Sequence, residues 1–123
     1  MPELPEVETI ANRLRSGWNG QPPLVNQSIK TAHLMWGRTL AEPDQESFTS
    51  RIQDQSIQGI RRRGKYIIID LDTDHILIHL RMSGDLIVQG KNAPLSPYDR
   101  LVIYFQSGYR LAFQDIRKFG RVW

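Results

Sequence analysis

Apolar residues along the chain follow two different rhythms. In EVETIANRLRSGW they fall at Val7, Ile10, Ala11, Leu14 and Trp18, the spacing of one face of a helix. Acidic residues come early in this stretch and Arg13 and Arg15 late, which complements the helix macrodipole. Gly17, Gly20, Pro22 and Pro23 then break the pattern. VNQSIKTAHLMW reads as a strand, and PDQESFTSRI as a short helix with Asp44 placed to cap it. From Ser56 onward the rhythm changes. SIQGIRRRGKYIIIDLD, HILIHLRM, DLIVQ, RLVIYF and YRLAFQ are short β-branched or aromatic runs, separated by turn signals such as TD and SG.

Short runs at this spacing, with no long helical segment between them, predict antiparallel pairing. The expected fold is mostly β with flanking helices (α+β): a two-layer antiparallel β-sandwich or pseudobarrel with two α-helices at its margins. One domain over residues 1–123 is sufficient for a chain of this length. The final FGRVW carries no polar tail, and the expectation is that further chain follows it. No internal repeat or low-complexity segment is present.

Composition narrows the chemistry. The chain has no cysteine, so disulfides, thiol nucleophiles and cysteine-ligated zinc are excluded within these residues. The apolar runs are short and interrupted by charge, and MPELPEVE is acidic where a secretory signal is basic and then apolar. A soluble cytoplasmic protein is expected. The formal charge of +3 is unevenly spread: residues 1–50 carry four basic and six acidic side chains, residues 51–123 twelve and seven. The cationic second part suits a phosphate backbone as well as an ordinary solvated surface.

Candidate chemistry begins at Pro2. Removal of the initiator methionine leaves a secondary α-amine, and at neutral pH roughly a tenth of such an amine is uncharged, against well under a thousandth of a lysine. A neutral secondary amine attacking a sugar C1′ forms an iminium, releases the base and acidifies the C2′ hydrogen for elimination. Glu3 beside it is a candidate proton relay. Lys65, behind Arg61, Arg62, Arg63 and Gly64, is a candidate phosphate or proton-transfer group, with the glycine read as permitting close backbone approach. Met82 is predicted at the tip of a hairpin turned by Ser83 and Gly84, where it would serve as a wedge in a base stack. Arg117 and Lys118 flank Phe119, with Gly120 expected to allow a sharp turn, so that a cation and an aromatic plane project from one loop. His79 reads as a strand residue rather than a ligand. Plainer readings stand beside each of these: MPELPE as a proline-punctuated helix start, RRR as a solvated strand end, and Met82 as a core gap filler.

MPELPEVETI, RRRGKYIII, HLRMSG and DIRKFG, in that order and spacing across the whole chain, resemble the formamidopyrimidine-DNA glycosylase family of DNA glycosylase/abasic-site lyases. The PELPEVE opening separates the chain from the related endonuclease VIII branch, whose opening resembles PEGPE and whose substrates are chiefly oxidised pyrimidines.

The resemblance implies that residues 1–123 are the N-terminal catalytic domain of an enzyme that removes oxidised purines such as 8-oxoguanine and formamidopyrimidines. It implies Pro2 as Schiff-base nucleophile, Glu3 as acid/base partner and Lys65 as the lysine that contacts phosphate and assists elimination. Met82, Arg117 and Phe119 would fill the space left by an everted base. Where many members read like KHDHV, this chain reads PYDRL, so Tyr98 or Arg100 stands in for a DNA-contacting histidine.

The resemblance further implies a helix–two-turn–helix segment and a zinc finger beyond this chain, one structural zinc ion there, and no metal or cofactor within residues 1–123. The expected partner is damaged double-stranded DNA, engaged by a monomer with no obligate protein partner and no membrane attachment. The isolated residues are expected to be weakly active at most. The alternatives are an endonuclease VIII-like specificity and a non-enzymatic nucleic-acid-binding β domain. A tautomerase using the terminal proline as a base would need a different strand count.

Overall fold

The computed structural model describes residues 4–81, 83–118 and 120–123. Pro2, Glu3, Met82 and Phe119 therefore lie outside the described residues. The described residues form two α-helices and eight strands: α1 (Leu4–Ser16), β1 (Ile29–Leu34), α2 (Gln45–Ile52), β2 (Gly59–Arg63), β3 (Tyr66–Asp70), β4 (His75–His79), β5 (Gly84–Gln89), β6 (Asp99–Phe105), β7 (Arg110–Asp115) and β8 (Arg121–Val122), with a 3₁₀ turn at Gly37–Thr39.

The strands make two four-stranded sheets, ordered β1-β6-β7-β5 and β2-β3-β4-β8, with antiparallel pairing throughout both. This is the predicted two-layer architecture with helices at its margins.

The core follows from the alternation of the strands. Ile60, Ile67, Ile69, Ile76, Ile78 and Val122 from one sheet join Ile29, Leu86, Leu101, Ile103, Leu111 and Phe113 from the other in one buried cluster. Val7, Ile10, Ala11 and Leu14 of α1 enter the same cluster, as do Phe48 and Ile52 of α2. Asp44 caps α2 as predicted, its carboxylate accepting from the Ser47 amide at 2.8 Å. That hydrogen bond holds the Asp44 carboxyl below its ordinary range.

Several local expectations change. Trp18 lies beyond the end of α1 and is 56% exposed. The Arg13 guanidinium sits 4.1 Å from its ring centroid, so the ring is covered by a cation rather than by the core. HLRMSG is not a hairpin: β4 pairs with β3 and β8, whereas β5 pairs with β7 in the other sheet. The segment between them carries the chain from one layer to the other, and the Gly84 amide closes it on the Leu80 carbonyl at 2.9 Å. Sequence spacing does not distinguish a hairpin turn from a turn between layers, because both join two alternating runs through small residues. β8, only two residues long, was also hidden within a loop-like stretch.

Candidate nucleic-acid interface

The register of the second sheet decides which loops meet. Tyr66 pairs with His79, and His79 pairs with Arg121. The turn holding Lys65, the crossing after β4 and the loop before β8 therefore leave the same end of the sheet. α1 is aligned to this end by its ion pairs. Arg15 donates to the Ile60 carbonyl at 2.9 Å, and Glu8, one turn and more nearer the helix start, accepts from Arg62 at 2.9 Å. The Leu4 end of α1 thus points toward the Gly64–Lys65 turn.

That turn is a two-residue connection, since Arg63 pairs with Tyr66. Gly64 has φ +59° and open space around the position of a Cβ. Its glycine is required by the left-handed backbone of the hairpin turn and not by close approach of a neighbour, which corrects the sequence reading. The three arginines before it are not an undivided phosphate cradle either. Arg61 grips Asp70 through two hydrogen bonds of 2.8 and 3.1 Å, and Arg62 is held by Glu8. Both carboxyls are pulled below their ordinary values, Glu8 chiefly by Arg15 and then Arg62, Asp70 chiefly by Arg61. Arg63 is exposed and has no ion pair among the described residues, and the half-buried Lys65 follows it at the turn.

His79 stands beside Lys65. Its Nδ1 accepts from the Arg81 amide at 3.1 Å, and its ring meets Tyr66 edge-on with centroids 4.8 Å apart. Burial first, then the charges of Arg81 and Lys65, push its pKa down. The neutral imidazole thereby anchors Arg81, which itself adopts φ +55°.

Asp115 organises the other two loops. It is 1% exposed and accepts from the Ser83 hydroxyl, from the Arg117 amide at 3.2 Å and from the Gly120 amide at 2.6 Å. The Arg117 amide also reaches the Ser83 hydroxyl oxygen at 3.1 Å. One buried carboxylate therefore ties Ser83, which follows Met82, to Arg117 and Gly120 in the loop around Phe119. The sharp backbone turn in this loop falls on Lys118, with φ +62°. Gly120 is needed for space, since a Cβ there would lie 2.4 Å from Cζ of Phe113.

Tyr98 is exposed, and Arg100 lies 6.0 Å from its ring centroid. The Arg100 side chain is occupied by backbone: Nε donates to the Asp115 carbonyl at 2.8 Å and Nη1 to the Pro97 carbonyl at 3.1 Å. Of the two substitutes for the expected histidine, Tyr98 is the more accessible and Arg100 acts as a brace.

Three features escaped the sequence reading: the organising role of Asp115, the bond of Ser83 to it, and a cleft of about 380 Å3 lined by Trp36, Arg38, Arg117, Lys118 and Arg121. Lys118 Nζ lies 3.9 Å above the Trp36 ring. The acid in DIRKFG was the available signal for the first, being a lone carboxylate beside two cations.

Among the described residues, no cluster of His, Cys, Asp and Glu could hold a metal ion, and no helix is long and apolar enough to cross a membrane.

Comparison with known proteins gives a consistent result. Residues 1–122 match the family described as formamidopyrimidine-DNA glycosylase N-terminal domain. The formamidopyrimidine-DNA glycosylase of Protochlamydia amoebophila is 45% identical over 122 residues, covering 98% of this chain and 42% of the relative. That of Geobacillus kaustophilus is 39% identical over 121 residues, again covering 98% and 42%. The Lactococcus lactis Fpg, solved in complex with DNA containing an abasic site, superposes with a TM-score of 0.87 at 33% identity, covering 98% of this chain and 43% of that one. The chain spans about two fifths, 42%, of the length of these curated relatives.

Proposed function

Because this chain belongs to the formamidopyrimidine-DNA glycosylase family, matching its N-terminal domain, we propose that the protein containing it is a base-excision DNA glycosylase with abasic-site lyase activity toward oxidised purines. The observation that carries the reading is the register Tyr66–His79–Arg121, which sends the Lys65 turn, the segment around Met82 and the loop around Phe119 out of one end of a sheet, the end to which the start of α1 points.

In this reading the enzyme everts the damaged nucleotide, at a cost of a few kcal/mol offset by stacking and phosphate contacts. The unprotonated Pro2 nitrogen attacks C1′, and the C1′–N bond to the base breaks as the base leaves with a proton. The nitrogen gives up its proton, the C1′–O4′ bond of the sugar breaks as O4′ is protonated, and the ring-opened iminium that results loses a C2′ proton, whose electron pair expels the 3′ phosphate. Glu3 relays protons at the sugar. Lys65 supports the phosphate and the elimination. Met82, Arg117 and Phe119 occupy the vacated stack, and Tyr98 contacts the backbone where relatives place a histidine. The resemblance places the zinc-bearing segment outside residues 1–123, and no step of this chemistry runs through it.

Borohydride trapping with the full-length protein and an 8-oxoguanine duplex tests this. The expected result is a covalent adduct whose mass maps to the N-terminal peptide at Pro2. An adduct on Lys65, or none from protein whose intact mass shows Met1 removed, overturns the assignment.

A further inference from the structure

The cleft beside the Arg117 loop joins Arg117 to Trp36, Arg38, Lys118 and Arg121, four residues that the proposed chemistry leaves unused. The 3₁₀ turn carrying Arg38 is fixed against the sheet at two points: the Met35 and Trp36 amides both donate to the Arg100 carbonyl, at 2.8 and 3.2 Å, and the Ala41 amide donates to Val122 at 2.7 Å. Trp36 is 37% exposed and forms a flat wall, with the Lys118 ammonium held against it. Arg38 is exposed and has neither hydrogen bond nor ion pair among the described residues. Arg121 Nε is buried without a hydrogen-bond partner among the described residues, a costly condition that an incoming acceptor would relieve. Four cations and one aromatic wall, with no carboxylate in the lining, suit a phosphodiester and the sugar attached to it.

Position selects which backbone. From Tyr66 through His79 to Arg121, which lines the cleft, there are two inter-strand steps, on the order of 10 Å at the usual spacing. That is too far for the group bound by Lys65 and is the scale of the two backbones bordering a DNA groove, about 6 to 12 Å wide. The loop around Phe119 lies between. Resting on the glycosylase reading above, we propose that Trp36, Arg38, Lys118 and Arg121 form a phosphate subsite for the complementary strand, the one that is not attacked. The cleft anchors the partner of the everted nucleotide while the Lys65 side holds the damaged strand.

The test uses the full-length protein and a duplex containing a tetrahydrofuran abasic analogue, with single neutral methylphosphonates placed along either strand. Arg38→Gln is expected to bind the all-phosphate duplex about tenfold more weakly, and to reduce the slope of log affinity against log salt by about 0.9. One methylphosphonate in the complementary strand, near the base opposite the lesion, should weaken the wild type by a similar factor and leave Arg38→Gln almost unaffected. Trp36→Leu should show the same coupling to a smaller degree.

Coupling to a damaged-strand position instead, or independent losses at every position, overturns the subsite while leaving the glycosylase reading intact. A wild type that does not prefer the abasic duplex over undamaged DNA overturns that reading, and this one with it.

Discussion

The Ser83 hydroxyl donates a hydrogen bond to Oδ1 of Asp115, thirty-two positions away in the chain. The bond joins the crossing between the two sheets to the loop after β7, and so joins the supports of the two residues, Met82 and Phe119, proposed to enter the base stack. Among the described residues of the two loops, Arg81, Ile116, Arg117 and Lys118 are all exposed. Their relative placement rests on polar contacts, and Asp115 accepts most of them.

Asp115→Asn presents an N–H₂ group where the carboxylate now accepts from Ser83, Arg117 and Gly120, leaving at least one buried donor unsatisfied. A loss of about 2 to 4 kcal/mol in unfolding free energy is expected, because the bonds lost are to a buried charge. Ser83→Ala, which removes one neutral donor, should cost about 1 kcal/mol. Urea titration of the two variants checks the ranking, and equal stabilities would show that Asp115 is not the organising group.

Gly120→Ala tests packing in the same loop by a different route. The new methyl would lie 2.4 Å from Cζ of Phe113 and 3.0 Å from the His79 carbonyl, so either the ring or the β4–β8 pairing must move. The expected destabilisation is about 1 to 3 kcal/mol. Adding Phe113→Leu, which withdraws the ring, should make the pair of changes less costly than the sum of the two singles. Strict additivity would place the strain elsewhere.

The sequence readily disclosed what depends on periodicity and on single-residue conformational preference. Val7, Ile10, Ala11 and Leu14 are the buried face of α1, Asp44 caps α2, and the isoleucines of YIII lie in a buried strand. It concealed what depends on pairing between distant segments. The crossing after β4 looked like a hairpin because local spacing carries no information about which sheet the next strand joins. Arg61 and Arg62 looked available because their partners, Asp70 and Glu8, are brought to them only by folding. Gly120 looked like a turn residue because its requirement for space is set by Phe113, an aromatic ring from another strand. The Trp36 cleft combines residues from three segments, none of which is distinctive alone.

Lys65 occupies a two-residue hairpin turn closed by the pairing of Arg63 with Tyr66, so its side chain can be changed without altering that backbone pairing. Lys65→Met keeps the aliphatic stem, and unfolding free energy is expected to change by no more than about 0.5 kcal/mol. If the ammonium assists proton transfer during elimination, strand cleavage should slow by roughly 10² to 10⁴. Single-turnover cleavage of a preformed abasic site, run beside a denaturant titration, separates the two effects. A large fall in stability with normal cleavage would make Lys65 a structural residue.

His79 gives the fold a predictable pH dependence. Its Nδ1 accepts from the Arg81 amide at 3.1 Å, which requires the proton to reside on Nε2 and the ring to be neutral. Burial, reinforced by Arg81 and Lys65, holds its folded-state pKa below the ordinary 6.5. A depressed pKa means that the unfolded chain takes up the proton first as pH falls. The stabilisation is therefore complete above about 6.5 and is lost progressively as pH drops toward the folded-state value. Protonation also removes the acceptor that fixes Arg81, so the crossing that carries Met82 should loosen over the same interval. His79→Asn, whose side-chain oxygen can take over the acceptor role, should flatten the fall in stability that sets in as pH drops below about 6.5. Imidazole carbon shifts from a pH titration supply the direct check: a His79 midpoint at or above 6.5, or an unchanged pH slope in the asparagine variant, would rule out this residue as the source.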